Sequence, residues 1–356
     1  MFRKIIANTI LAPFALLYGA GVSLRDFFYR KNLLKGYKFN VPVISVGNLS
    51  VGGAGKTPHI EYLIRLLKDF LNVTVLSRGY KRKTSGYLEI LPSHNALDAG
   101  DEPLQFKRKF GDDIMVTVSE SRAFGIPEIM ATRPDTQTIL LDDAFQHRSV
   151  EPGLNILLTE YGNPFFNDYL LPVGRLREWR SAYQRADIII VSKCPTELSE
   201  AERDEWLEKI KPFPHQKVFF SYYAYGKPYY IFNPRYTLNL EEDLDVVLIS
   251  AIANTEYLEE YLEEKTDLIK NLDYEDHHYF TEFDVSRLHK IFTHMPRKKK
   301  AIITTEKDAM RLELHRDFLV EKKMPIFVLP AEVRFHFDEE QRFAGEVQEF
   351  LLNFRE

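Results

Sequence analysis

The run Ser50-Val51-Gly52-Gly53-Ala54-Gly55-Lys56-Thr57 places three glycines ahead of a Lys-Thr pair. Glycines let backbone N–H groups turn inward around phosphate oxygens, a lysine neutralises the outer phosphates, and a threonine hydroxyl reaches Mg²⁺. Serine stands at position 50, where the strict phosphate-loop pattern has glycine. A glycine-rich turn with no ligand is the plainer alternative, and the apolar run VPVISV before the loop and the helical pattern after Pro58 argue against it. A bound nucleotide with Mg²⁺ also needs a carboxylate where a neighbouring strand leaves the sheet, and Asp142 and Asp143 after Thr138–Leu141 supply one, with Asp142 on the metal side.

Two further sets look chemical. Gly100-Asp101-Glu102-Pro103 is either a pair of first-turn acids favoured by a helix dipole or the source of a base, Asp101, that takes a proton from an attacking hydroxyl. Asp276-His277-His278 lies far downstream, and nothing near it completes a zinc ligand set. The expected use is that His277 reaches across a cleft with Asp276 holding its ring, an ordinary surface pair being the alternative. Arg78 and Tyr80 in SRGY, His147 in QHR and Arg175 in LLPVGRLRE follow strands or turns and could together grip an anion.

These groups require elements that hold them. From Val41 to Lys193, β-branched runs alternate with amphipathic helical stretches, as in a parallel sheet flanked by helices. The aromatic runs around Tyr225-Gly226-Lys227-Pro228 read as a hairpin, and a second, smaller α/β set follows, ending in a helix near Glu339–Leu352 that could pack on either unit. The expected division is 1–35 N-terminal helix, 36–216 phosphate-loop unit, 217–240 two-stranded linker and 241–356 smaller α/β unit. A chain of 356 residues exceeds one ordinary core, in keeping with that division.

A net charge of −5 offers no general attraction to nucleic acid, and the single cysteine, Cys194, excludes an intrachain disulfide. Ile5 to Leu24 carries no charge and is flanked by basic residues. It is just long enough to span a bilayer, but Asn8, Thr9, Pro13, Gly19, Gly21 and Ser23 dilute it, so a helix lying in the membrane surface is preferred over a span or a plain buried helix.

In order along the chain, the apolar N-terminal helix, VGNLSVGGAGKTP, SRGY, GDEP, LDDAFQH, LLPVGRLRE, DHH and TEKDA resemble the tetraacyldisaccharide 4′-kinase (lipid A 4′-kinase) family of Gram-negative bacteria. The resemblance implies transfer of the γ-phosphate of ATP, with Mg²⁺, to the 4′-hydroxyl of a membrane-borne tetraacylated glucosamine disaccharide 1-phosphate, at the cytoplasmic face of the inner membrane. It implies a catalytic pair Asp101 and His277, a nucleotide loop over Ser50–Thr57, and supporting roles for Arg78, Tyr80, Glu102, Asp142, Asp143, His147, Arg175 and Asp276. Ala144-Phe145 and Ser250–Asn254 depart from the family pattern, the second near the hinge. A GTPase switch is a rival reading, weakened because Lys193 is followed by Cys-Pro; a non-catalytic membrane adaptor is another.

Overall fold

The computed structural model describes residues 2–355, with side chains from residue 10 onward except at 268 and 269. The chain opens with α1 (Phe2–Arg30), β1 (Val43–Asn48), α2 (Lys56–Leu67), β2 (Val73–Ser77), β3 (Leu88–Glu89), α3 (Ala96–Ala99) and α4 (Asp101–Phe110). It continues through β4 (Met115–Val118), α5 (Arg122–Thr132), β5 (Thr138–Asp142), β6 (Leu154–Glu160), β7 (Ile188–Ser192), α6 (Glu200–Ile210) and β8 (Lys217–Tyr225). Next come β9 (Tyr229–Tyr230), β10 (Asn233–Thr237), β11 (Asp245–Ser250), α7 (Glu256–Lys265), β12 (Asp267–Asp273), α8 (Glu282–Thr293), β13 (Lys300–Thr305) and α9 (Glu306–Leu312). The last elements are α10 (Arg316–Glu321), β14 (Ile326–Leu329), β15 (Ala331–Phe335) and α11 (Glu340–Asn353).

Among the described residues these strands form two sheets, ordered β15-β8-β7-β6-β1-β5-β2-β4-β3 and β10-β9-β14-β13-β11-β12. The central strands β1, β2, β4, β5 and β7 are buried at every position, which is why they read as unbroken apolar runs: helices cover both faces of a parallel sheet. In β1, parallel partners flank both edges, and Val46 lies level with Asp142 of β5. The loop after β1 and the acids after β5 therefore leave the sheet side by side at its carboxyl edge, where α/β proteins bind ligands.

The aromatic runs expected to pair as a hairpin go instead to different sheets. β8 lies parallel to β7 and antiparallel to β15, while β9 pairs with β10 and β14. β8 and its antiparallel partner β15 both belong to the larger sheet, and β15 arrives only after the whole smaller sheet has been built. Beyond β15, α11 packs on the large sheet: Phe343 stacks on Phe335 at 4.7 Å and meets Phe219 and Tyr62 edge-on.

Buried charges also join the two units. Lys109 of α4 sits between Glu61 of α2 (2.7 Å) and Glu306 of α9 (2.6 Å). Burial, and then the neighbouring Glu61, raise the Glu306 carboxyl to about 7.

Helix α1 docks through its second half. The Trp179 indole N–H donates to Gly19 O (3.2 Å) and Ser23 Oγ (2.9 Å), Tyr18 donates to Arg177 O (2.9 Å), and Asp26 pairs with Arg148 (2.8 Å). Gly19 is required there, because a Cβ would lie 2.5 Å from the Trp179 ring. Ile10, Phe14, Leu16, Leu17 and Leu24 remain exposed, and the stretch Ile10–Arg30 is long and apolar enough to cross a membrane.

Candidate active site

Gly55 caps α2 in the left-handed region (φ 83°, ψ 25°), a conformation only glycine adopts cheaply, and its missing side chain leaves room for the Tyr223 hydroxyl. The loop is tied down from outside. Val51 N–H donates to Arg175 O (2.7 Å), Asn48 Nδ2 to Ser50 O (2.7 Å) and Ser192 Oγ to Ala54 O (2.8 Å). Lys56 reaches Asn48 Oδ1 (3.2 Å) and Asp143 (3.7 Å), and Gly52, Gly53, Gly55, Lys56 and Thr57 line one wall of the cleft between the sheets.

Asp142, at the end of β5, is buried; Ser77 Oγ donates to one oxygen (3.0 Å) and Oδ1 has no partner. Burial, followed by the charges of Glu102 and Asp143, raises its carboxyl to about 7. An unpartnered buried carboxylate beside a phosphate loop is the donor set of a hard divalent cation, so Thr57 and Asp142 fit Mg²⁺. Asp143 is left-handed (φ 46°) and forms two contacts with Arg177, at 2.8 and 3.2 Å. Desolvation would raise its carboxyl, but Lys56 and then Arg177 hold it well below the usual range.

The opposite wall comes from the smaller sheet. His277, also left-handed (φ 59°), donates its backbone N–H to Ala251 O, and its ring Nδ1 lies 3.1 Å from Asp101 Oδ2 across the cleft. Tyr80 leans on that ring at 4.8 Å. Nε2 of His277 lies 3.1 Å from Lys307 Nζ, which also pairs with Glu102 (3.0 Å) and Asp276 (3.5 Å). Asp101 is buried behind this group; its Oδ1 accepts the Glu102 N–H and its Oδ2 also faces Arg311 (3.3 Å). Burial alone would raise the Asp101 carboxyl, yet Lys307, His277 and Arg311 outweigh it and hold the group well below its ordinary value.

The structure thus brings together Ser50–Thr57, Asp142, Asp143, Asp101 and Glu102 from the larger unit with Asp276 and His277 from the smaller, the two sets meeting at the Asp101–His277 contact. One expectation changes. The ring of His277 is held by Asp101 rather than Asp276, whose nearest oxygen is 3.8 Å from Nε2. Arg175 points away from the acids toward Asp168 (3.4 Å), and Arg177, two residues on, occupies the place beside Asp143. His147 is no cation at neutral pH: burial, then Arg122 and Arg78, lower its ring to about 4. Arg78 is exposed. His278 turns to Asp284 (3.0 Å) in the capping box of α8, so the two histidines do not act together. Asp101, Glu102 and His277 each offer a ligand atom within 4.8 Å of the others, but the Lys307 ammonium already lies against two of the three.

Lys307 and Arg311 are the residues the sequence does not single out, although Lys307 lies in the TEKDA run; Arg177 reads from sequence only as the second of two arginines in one turn that could grip an anion.

A family model described as tetraacyldisaccharide-1-P 4′-kinase matches residues 7–351. A protein of that name from Phocaeicola vulgatus is 40% identical over 349 residues, covering 97% of this chain and 95% of its own length. Another from Parabacteroides distasonis is 43% identical over 344 residues, covering 94% of this chain and 92% of its own. The crystal structure of LpxK from Aquifex aeolicus in complex with ATP superposes with a TM-score of 0.74 at 28% identity, over 97% of this chain and 99% of that one.

Proposed function

Because the chain belongs to the tetraacyldisaccharide 4′-kinase family and is a lipid disaccharide kinase, we propose which of its residues carry ATP-dependent phosphorylation of the sugar 4′-hydroxyl. The observation that carries this assignment is that the phosphate loop and His277, whose ring meets Asp101, line one cleft.

The loop amides of Gly52 to Thr57 cradle the phosphates of ATP, and Lys56 leaves Asp143 to neutralise the terminal ones. Thr57 and Asp142 would hold Mg²⁺, which supplies charge neutralisation to the transferring phosphoryl group. The Asp101–His277 pair takes the proton of the sugar hydroxyl, and its base is worth roughly 10² to 10⁴ in rate. Arg177 keeps Asp143 in place through its fork, and Arg175 holds the loop through its carbonyl. Tyr80, Arg78 and His147 line the substrate side, His147 as a neutral hydrogen-bonding group. Helix α1 presents its exposed apolar side chains to the inner-membrane surface, at its cytoplasmic face, where the lipid resides.

Purified full-length protein in detergent micelles, given radiolabelled ATP, Mg²⁺ and a tetraacylated disaccharide 1-phosphate, should label the lipid. Asp101→Ala and His277→Ala should each lower kcat at least about 100-fold with ATP affinity nearly intact. Normal turnover by either variant would refute the assignment of the pair.

A further inference from the structure

Three helices begin at the groups that do chemistry: α2 opens with Lys56 and Thr57, α4 with Asp101 and Glu102, and α9 with Glu306 and Lys307. In the second turn of α2, Glu61 is fully buried. Its Oε1 accepts from Gln105 Nε2 of α4 (2.8 Å), while its Oε2 accepts from Lys109 Nζ (2.7 Å) and lies 3.7 Å from Arg65. The same ammonium, in the last turn of α4, donates to Glu306 Oε1 of the smaller unit at 2.6 Å. Burial would discharge Lys109, but Glu61 and then Glu306 outweigh it and raise the group, so it stays a cation between two acids. Tyr229 of β9 also faces the two acids; burial, then Glu306 and Glu61, push its hydroxyl up and keep it neutral.

Among the described residues the polypeptide crosses between the units twice, from β8 to β9 through Gly226–Pro228 and from β14 to β15 through Pro330. The crossings run side by side, Gly226 N–H donating to Pro330 O (2.9 Å). Two adjacent crossings make a hinge and fix no angle about it, so contacts across the cleft must hold the units closed. Resting on the kinase reading above, we propose that Lys109 is a positioning residue, a clasp that grips Glu306 of the smaller unit from an anchor on Glu61 beside the phosphate loop and so sets how much of the protein is closed. Lys307 and Arg311 also cross the cleft, to Glu102 and Asp101, but they end at α4. Lys109 reaches on to the helix that begins with Lys56 and Thr57, so the phosphate loop and the smaller unit share one charge network. Burial, and then Glu61, raise the Glu306 carboxyl to about 7. The carboxylate that the clasp needs is therefore present above that pH and is lost as pH falls through it.

The test uses full-length protein in micelles with one spin label on each unit, at Asp69→Cys and Glu263→Cys, both exposed, while Cys194 is buried. Without nucleotide or lipid, the otherwise wild-type protein should give one narrow distance distribution at pH 8, and a second population should grow in at pH 6. Glu306→Gln, neutral at either pH, should show the second population at both. In the radiolabelled lipid assay its kcat should lie about tenfold below the wild type at pH 8 and only about twofold below at pH 6, where the wild type has lost the same charge. Titrations common to both proteins cancel in that ratio. Wild-type distances that are the same at pH 6 and pH 8 overturn the proposal whether or not the variant folds. So does a ratio of kcat values that stays constant with pH. Failure of the wild type to phosphorylate the lipid would instead strike the functional reading, because the distances need no turnover.

Discussion

Replacing Gly55 with alanine tests how tightly the phosphate loop is built against the connection between the sheets. Two costs add at this position. An L-residue held at φ 83° costs about 1 to 2 kcal/mol. Its Cβ would also lie 2.3 Å from the Tyr223 hydroxyl oxygen, and forcing such overpacking typically costs about 1 to 3 kcal/mol. The sum, about 2 to 5 kcal/mol, corresponds to a loss of ATP affinity between roughly 30-fold and a few thousand-fold if the loop must keep its shape to bind. Deleting the hydroxyl in Tyr223→Phe leaves the ring carbon as the nearest atom at 3.4 Å, ordinary contact. The double variant should therefore regain the overpacking share, about 5- to 140-fold, and retain only the backbone strain. Nucleotide titration of the four proteins of the cycle reads this directly. Equal losses from Gly55→Ala with and without the Tyr223 hydroxyl would refute the reasoning, since the clash would then be absent in solution.

Asp142 titrates near 7 when folded and near 3.8 when unfolded, so its contribution is favourable at low pH and is lost as pH rises from about 4 through 7. Asp142→Asn should accordingly gain up to about 3 kcal/mol over the wild type between pH 5 and 8 in magnesium-free buffer, seen as a rising difference in Tm, and excess Mg²⁺ should narrow it. Lys109→Met leaves Glu61 and Glu306 without their shared cation and should cost about 3 to 5 kcal/mol in urea unfolding at pH 8, and less at pH 5 where Glu306 can protonate. Gly19→Leu drives a side chain into Trp179 and should lower turnover of the lipid in micelles about tenfold or more while nucleotide affinity stays unchanged. An unaltered lipid rate in that variant would show that the docked pose of α1 is not used.

The phosphate loop and Asp142 were legible in the sequence because each is local: a strand, a turn and the next few residues specify them. The pairing of Asp101 with His277 was legible through the resemblance of the whole ordered motif set and not through either motif, since 176 positions separate them and nothing in either names the other. Lys307 was hidden for the same reason, its partners lying in α4 and in the loop before α8. The partner of Asp143 was hidden for a different reason. Both arginines sit in one turn, and the fork of Arg177 onto Asp143 depends on how that turn packs on Asn48, which no periodicity encodes. The hairpin misreading is also non-local: Tyr225 looks for a partner nearby, yet its neighbour in the sheet is Ala331.

That distant partnership governs how the protein comes into being on the ribosome. One border of the larger sheet and the helix covering Phe219 are furnished by residues that follow the whole smaller sheet, from Ala331 onward. Until those residues are made, then, β8 waits with one row of backbone groups open, a sticky rim for any other extended chain. Helix α1, which precedes every strand of both sheets, is made while the catalytic half is still unfinished, so its exposed apolar side chains come before competence.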